Sequence, residues 1–174
     1  MVFSEQEARI LFKQIAKAIS LAHKKGIVHL DIKLDNIMFD PATFTAKVID
    51  FGLCNFVNKE NKGMFTHRVG SEDWWSPEMI PERLAPYNGF KVDVWGLGLV
   101  LYCLLNGSFP FDKRRSKFVR SSGVHPTFGF TQEISESAQD LIKRMLEVNP
   151  EKRISLAEVM SHPWMKKSIF PKFW

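Results

Sequence analysis

Apolar residues recur at helical spacing from the start of the chain. Ala8, Phe12, Ile15, Ala16, Ile19 and Ala22 fall on one face. Ser4 and Glu7 form a capping box, the pair that satisfies two backbone N–H groups at a helix start. Gly26 ends the segment. Short extended stretches follow. Ile27 to His29, Ile37 to Phe39 and Lys47 to Ile49 read as strands, with Asp40-Pro41 turning the chain between the last two. From Asp50 to Pro77 the pattern loses its period, which predicts a long surface loop. In a compact domain such a loop is usually functional.

The second half returns to helical periodicity. Val92 to Leu105 is apolar almost all round, as a central buried helix is, and Asn106-Gly107 closes it. Ala138, Leu141, Ile142, Met145 and Leu146 define a one-sided helix, and Ser155 with Glu158 caps a last short one. No repeat, low-complexity tract or flexible linker divides residues 1–174, so one domain is expected. It is mainly α, with a small β element leading into a helical body.

Composition narrows the class without naming it. Hydrophobic residues at 45% and charged residues at 25% exclude a disordered, collagenous or coiled-coil chain. The apolar run Val94 to Leu105 falls short of the roughly 20 residues of a membrane span, and Glu5, Glu7 and Arg9 interrupt any signal peptide. No membrane association is expected. Two cysteines, Cys54 and Cys103, are too few for a disulfide framework or a zinc site and read as reduced buried thiols. They fit a cytoplasmic or nuclear setting.

The net charge of +5 is partly local: Lys113, Arg114, Arg115, Lys117 and Arg120 crowd one stretch beside Asp112. This run is either a solvated face or a docking patch for acidic peptides and phosphate groups. With only Phe118 interleaved, nucleic acid is not an expected partner.

The informative stretch is His29-Leu30-Asp31-Ile32-Lys33-Leu34-Asp35-Asn36, followed by Asp50-Phe51-Gly52. A loop Asp alone more often caps a turn than does chemistry. Here an Asp, a Lys two residues on, an Asn three further and a second Asp across a hairpin meet at neighbouring strand ends. Asn36 and Asp50 offer oxygens to a hard cation such as Mg²⁺, which otherwise keeps water and uses substrate phosphates. Asp31 can accept a hydroxyl proton, and Lys33 can stabilise a transferring phosphoryl group.

At these residues the chain resembles the catalytic loop and metal-binding motif of eukaryotic protein kinases. The resemblance continues through Ser76-Pro77-Glu78, Asp93-Val94-Trp95-Gly96-Leu97-Gly98, Asn149-Pro150-Glu151-Lys152-Arg153 and His162-Pro163-Trp164, in the family's order. It implies a helical, kinase-like larger (C-terminal) lobe over residues 1–174, with ATP and Mg²⁺ as cofactors and a protein Ser/Thr hydroxyl as substrate. Asp31 would be the catalytic base and Lys33 would contact the γ-phosphate. Asn36 and Asp50 would hold Mg²⁺, and Met38 would form part of the floor beneath adenine. Asp93 would bind the catalytic-loop backbone, and Glu78 and Arg153 would form a buried ion pair. Lys33 together with Ser71 resembles serine/threonine rather than tyrosine kinases. Asp50-Phe51-Gly52-Leu53-Cys54-Asn55 and Leu104 to Asp112 look closest to the calcium/calmodulin-dependent and nutrient-sensing group.

Departures from the family pattern carry their own expectations. No glycine-rich strand-turn-strand and no strand lysine precede Ser4 in this sequence, so the N-terminal lobe is expected to be absent from this chain. Half a cleft binds ATP feebly and transfers slowly, because phosphoryl transfer depends on positioning. The alternative function is an inactive, pseudokinase-like scaffold; a partner supplying the missing lobe or regulating it is a further expectation. Leu30 stands where most members carry a phosphate-binding Arg, and His67 with Thr66 beside it stands where they carry a phosphorylated Thr. Loop phosphorylation is therefore not expected to be the main switch. Residues 112–123 read as a shortened, basic segment. Trp74 and Trp75 are candidates for peptide contact or for packing, and His23, His125 and His162 read as structural.

Overall fold

A computed structural model describes residues 2–80, 85–111, 129–131 and 133–166. The first helix, α1 (Glu5–Lys24), starts where the capping box places it: Ser4 Oγ accepts the Glu7 N–H and Glu7 accepts the Ser4 N–H. Its predicted face is buried from Ala8 to Ile19, while Ala22 is half-buried. Strand β1 (Ile27–Val28) follows, then a single 3₁₀ turn over Leu34–Asn36. Strands β2 (Ile37–Asp40) and β3 (Thr45–Val48) pair antiparallel, Ile37 opposite Val48 and Asp40 opposite Thr45. The third strand thus begins two residues before the predicted Lys47, because Asp40 and Thr43 close the turn with a 2.6 Å side-chain hydrogen bond.

The stretch from Asp50 to Pro77 is not structureless. It holds β4 (Asn55–Phe56), which pairs back to β1, and β5 (Met64–Phe65), which pairs forward to β6 (Tyr87–Asn88). Each of these strands has two residues, too few to show a period-2 pattern. Among the described residues the β element is three separate two-stranded sheets.

Helix α2 (Gly89–Asn106) starts three residues before the predicted Val92, capped by the Asn88 side chain, and ends at Gly107 in the left-handed region. By length and composition it could cross a membrane, but 89% of that span is buried inside the molecule, as befits a core helix. Around it pack α1, α3 (Glu136–Met145), α4 (Leu156–Ser161) and α5 (Pro163–Lys166). Glu5 ties the start of α1 to this body: it accepts the Ser135 N–H at 2.8 Å and the Trp164 indole N–H at 2.9 Å. A second, smaller apolar cluster joins Val28, Leu30, Phe65, Met79, Tyr87 and Val92 beneath the 51–80 segment.

Cys103 is buried, and burial pushes its thiol up to about 12; Cys54 is only half-buried, against expectation. Trp74 packs edge-on against Phe109, the Trp75 indole N–H donates to the Val69 carbonyl, and both side chains are half-buried. The basic run 113–120, the 112–123 segment and His125 lie outside the described residues.

Candidate active site

The loop from His29 to Asn36 rests on α2. Asp93, on the first half of that helix, has a fully buried carboxylate. Its Oδ2 accepts the His29 N–H and its Oδ1 the Leu30 N–H, both at 2.8 Å. His23 Nε2 sits 2.8 Å from the same Oδ2. Two turn amides are thus satisfied by one charge, an arrangement worth more than neutral hydrogen bonds. Gly96 lets the loop lie this close: a Cβ there would stand 2.9 Å from the Ile32 carbonyl.

Leu30 follows with φ +65°, a left-handed conformation that costs a non-glycine residue roughly 1–2 kcal/mol. The conformation is held from both sides, by Asp93 at its N–H and by burial of its side chain in the smaller apolar cluster. The turn brings Asp31 into the centre of a polar group. Its Oδ1 accepts the Ser71 N–H at 2.9 Å. Its Oδ2 accepts from Asn36 Nδ2 at 3.1 Å and lies 2.9 Å from Lys33 Nζ. Lys33 also donates to Ser71 Oγ at 2.6 Å. Burial pushes the Asp31 carboxyl up, but the Lys33 and Ser71 hydrogen bonds together hold it below the usual carboxylate range. It is an ionised acceptor at neutral pH.

Asn36 is fixed by donating Nδ2 also to the Asp31 carbonyl at 2.8 Å, which leaves its Oδ1 without a partner among the described residues. The chain then runs out along β2 and returns on β3, where the Ile49 N–H donates to the Asn36 carbonyl at 2.9 Å. Asp50 is the next residue. Asp50 has φ +58° and is exposed; its Oδ1 accepts the Gly52 N–H at 3.1 Å, leaving Oδ2 open. The structure therefore brings Asp31, Lys33 and Asn36 into direct contact, while Asp50 is linked to them only through the backbone, one residue after the Ile49–Asn36 bond. Met38 lies on β2 and is 57% exposed.

Two uncommitted oxygens, one amide and one carboxylate, suit a hard cation that completes its shell with water and phosphate. No group of three or more His, Cys, Asp or Glu side chains among the described residues could hold a metal unaided.

The resemblance pairs Ser71 with Lys33 but names no contact between them, and Gly70 carries no signal of its own. Ser71 contacts Asp31 through its N–H and Lys33 through its hydroxyl. Gly70, at φ +86°, touches the loop so closely that a Cβ would lie 2.7 Å from the Leu30 carbonyl and 3.0 Å from Asp31 Oδ1. A Gly-Ser pair some forty residues downstream gives no local signal of this contact.

Helices with small antiparallel sheets, and an Asp-Lys-Asn group joined through the backbone to a second Asp, define a protein kinase domain. The family model for the protein kinase domain matches residues 1–165. Sperm motility kinase 3A of Mus musculus is 38% identical over 170 residues, covering 96% of this chain and 32% of that protein. Serine/threonine-protein kinase ppk25 of Schizosaccharomyces pombe is 37% identical over 166 residues, 95% of this chain and 38% of its own. The carbon catabolite-derepressing protein kinase of Candida glabrata is 39% identical over 166 residues, 95% of this chain and 26% of its own. The chain belongs to the eukaryotic serine/threonine protein kinase family. It spans about a third of the length of the curated relatives it matches.

Proposed function

We propose that residues 1–174 form the larger lobe of a serine/threonine kinase domain which, in a complete cleft, transfers the γ-phosphoryl of ATP to a protein Ser/Thr hydroxyl. The observation that carries this reading is the ionised Asp31 carboxylate held jointly by Lys33, Asn36 and Ser71. A base held below the usual carboxylate range takes a proton poorly in the ground state. Its work is to orient the attacking hydroxyl by hydrogen bond and to receive the proton as the oxygen commits. Lys33, already 2.9 Å from that carboxylate, offsets charge on the transferring group.

Asn36 Oδ1 and Asp50 Oδ2 are the open oxygens for Mg²⁺, and Met38 offers an exposed apolar surface for adenine. Magnesium, when bound, neutralises phosphate charge and fixes the phosphate geometry. The likeness to a carbon catabolite-derepressing kinase favours the nutrient-sensing group. Two free cysteines favour a cytoplasmic or nuclear setting.

The second reading is an inactive binding module. It is favoured by Phe51 and Leu53, 41% and 42% exposed beside Asp50, a surface that either the family's smaller lobe or another protein would cover. Mn²⁺ with ATP separates the two. In the first reading, paramagnetic broadening centres on Asn36 and Asp50, needs nucleotide and disappears in Asp50→Asn. Broadening that is absent or spread over surface acids decides for the binding module. These 174 residues assayed alone should transfer phosphate very slowly; turnover at ordinary kinase rates that Asp31→Asn abolishes would show that they need no roof.

A further inference from the structure

A second concavity, of about 340 Å³, lies where the end of α1, the first turn of α2 and the start of α4 meet. Its lining includes none of Asp31, Lys33, Asn36 and Asp50. Phe90, Val94 and Leu156 give it apolar walls, while Ser20, His23 and Lys24 come from one face of α1, spaced i, i+3, i+4. Lys24 is exposed, and the Ser20 hydroxyl is uncommitted among the described residues. Lys91 adds a second cation, directed to the Arg153 carbonyl. No carboxylate is among the lining residues, and the nearby Glu158 and Asp93 lie outside it, Glu158 within electrostatic reach of Lys91. Glu158 accepts the Ser155 N–H and O–H, and Asp93 accepts from the loop amides. The lining thus offers Lys24 as its available cation, and no carboxylate, on a mostly apolar surface. A cleft of this size with a few polar groups is the form small-ligand sites take.

We propose that this cleft binds a small amphipathic carboxylate, its tail against Phe90, Val94 and Leu156 and its carboxylate on Lys24 and Ser20. Occupancy is communicated to the His29–Asn36 loop. His23, whose ring packs edge-on against Phe90 at 4.8 Å, holds the Asp93 carboxylate that in turn holds the His29 and Leu30 amides. The link is three consecutive contacts, each described above. A ligand that moves Phe90 or His23 changes the partner of the one charge supporting the loop. This inference rests on the cleft and on those contacts, and not on the phosphotransfer reading.

Octanoate is the probe, with octan-1-ol lacking the charge and butyrate lacking the tail. Amide and methyl NMR of the 174-residue chain should show saturable octanoate shifts at Phe90, Val94 and Leu156, together with the His29 and Leu30 amides. Octanol and butyrate should bind about tenfold more weakly or worse. Ala157→Trp fills the cleft from an exposed lining position and Lys24→Glu reverses the exposed charge. Each should weaken octanoate about tenfold with circular dichroism and unfolding midpoint retained. Equal affinity for octanol, shifts that persist in both variants, or no saturation by about 10 mM would overturn the site. Lining shifts with silent His29 and Leu30 amides would overturn the communication. The probe series on the unaltered chain decides the matter even if a variant fails to fold.

Discussion

The His29–Asn36 loop and the segment from Phe51 to Ile80 lie against each other, yet they are held by different physics. The loop is fixed by charge: a buried Asp93 carboxylate below it and a Lys33 ammonium against Asp31. The segment is fixed mostly by neutral and apolar contacts. Phe65 and Met79 sit in the Leu30 cluster, the Tyr87 hydroxyl donates to the His67 carbonyl at 2.6 Å, and Asn55 Nδ2 meets His67 Nε2 at 3.0 Å. Charge enters where Ser71 meets Asp31 and Lys33, where Arg68 donates to the Thr66 and Met79 carbonyls, and at the far end, where Arg153 grips Glu78. Charged hydrogen bonds set angles sharply and fail abruptly when one partner goes. Apolar contacts tolerate small shifts and fail in proportion to volume lost. The loop therefore has one productive geometry, and the segment is a broader support.

The sharpest break is at that far end. Arg153 donates to both Glu78 oxygens, at 2.6 and 2.8 Å, and to the Lys91 and Glu147 carbonyls, and its guanidinium lies over the Trp95 ring. Glu78→Ala leaves a buried guanidinium half-paired and should cost roughly 3–5 kcal/mol in urea unfolding. Arg153→Ala should cost about as much, and the double variant far less than the sum of the two. Additive losses would mean that the segment's end is held by packing and not by the pair.

Asp93→Asn comes next. An amide in that site can serve the His29 and Leu30 N–H groups with one oxygen only, and its own N–H₂ then faces a donor. The expected loss is about 3 kcal/mol. Amide exchange should accelerate at His29 and Leu30 before it does at Phe65 or Tyr87. Uniform acceleration would remove the distinction between the two regions.

Leu30 belongs to both regions, which makes it the most discriminating position. Leu30→Ala should cost about 2–3 kcal/mol for the lost side chain. Leu30→Gly loses slightly more surface but relieves the left-handed backbone at φ +65°. It should therefore be more stable than the Ala variant by about 1 kcal/mol, the reverse of the usual order. A Gly variant less stable than Ala would mean that the turn carries no strain.

How much of this was legible beforehand depended on the range of each interaction. The Ser4–Glu7 and Ser155–Glu158 boxes act over three residues and formed as read. The β2–β3 hairpin showed its turn at Asp40-Pro41, though its second strand started earlier than Lys47. The Asp31–Lys33–Asn36 group was legible because its members share one loop. Ser71 was marked only through the resemblance that pairs it with Lys33; its bonds to Asp31 and Lys33 exist only after β4 and β5 have paired with β1 and β6. The start of α2 was misplaced because Asn88-Gly89 looks like a turn until the Asn side chain is seen accepting from Phe90 and Lys91.

Acid unfolding offers a gentler test of the charged region. The Asp31 carboxyl is lowered from its ordinary 3.8 in the folded state, so the unfolded chain binds its proton first as pH falls. Its contribution is fully present above about pH 4 and disappears as pH drops through the lower folded value. Asp31→Asn should flatten that part of the stability curve relative to the unaltered chain and leave the region above about pH 5 parallel. Curves that stay parallel down to about pH 2 would mean that Lys33 and Ser71 do not hold the carboxyl down.

The smallest effect is expected at Thr66. It is exposed, next to the His67–Asn55 contact, and its carbonyl accepts from Arg68 at 3.0 Å. A phosphate there finds no guanidinium at position 30: Leu30 is buried among Val28, Phe65, Met79, Tyr87 and Val92. An apolar latch needs no added charge to close. Thr66→Glu should change stability by less than about 0.5 kcal/mol. It should also leave the exchange rates of the Phe65 and Tyr87 amides where they were. If it instead protected that strand pair strongly, or if phosphorylated Thr66 raised transfer in a longer version carrying the smaller lobe, the segment would be an electrostatic switch like the loop beside it. The contrast between the two regions would then collapse.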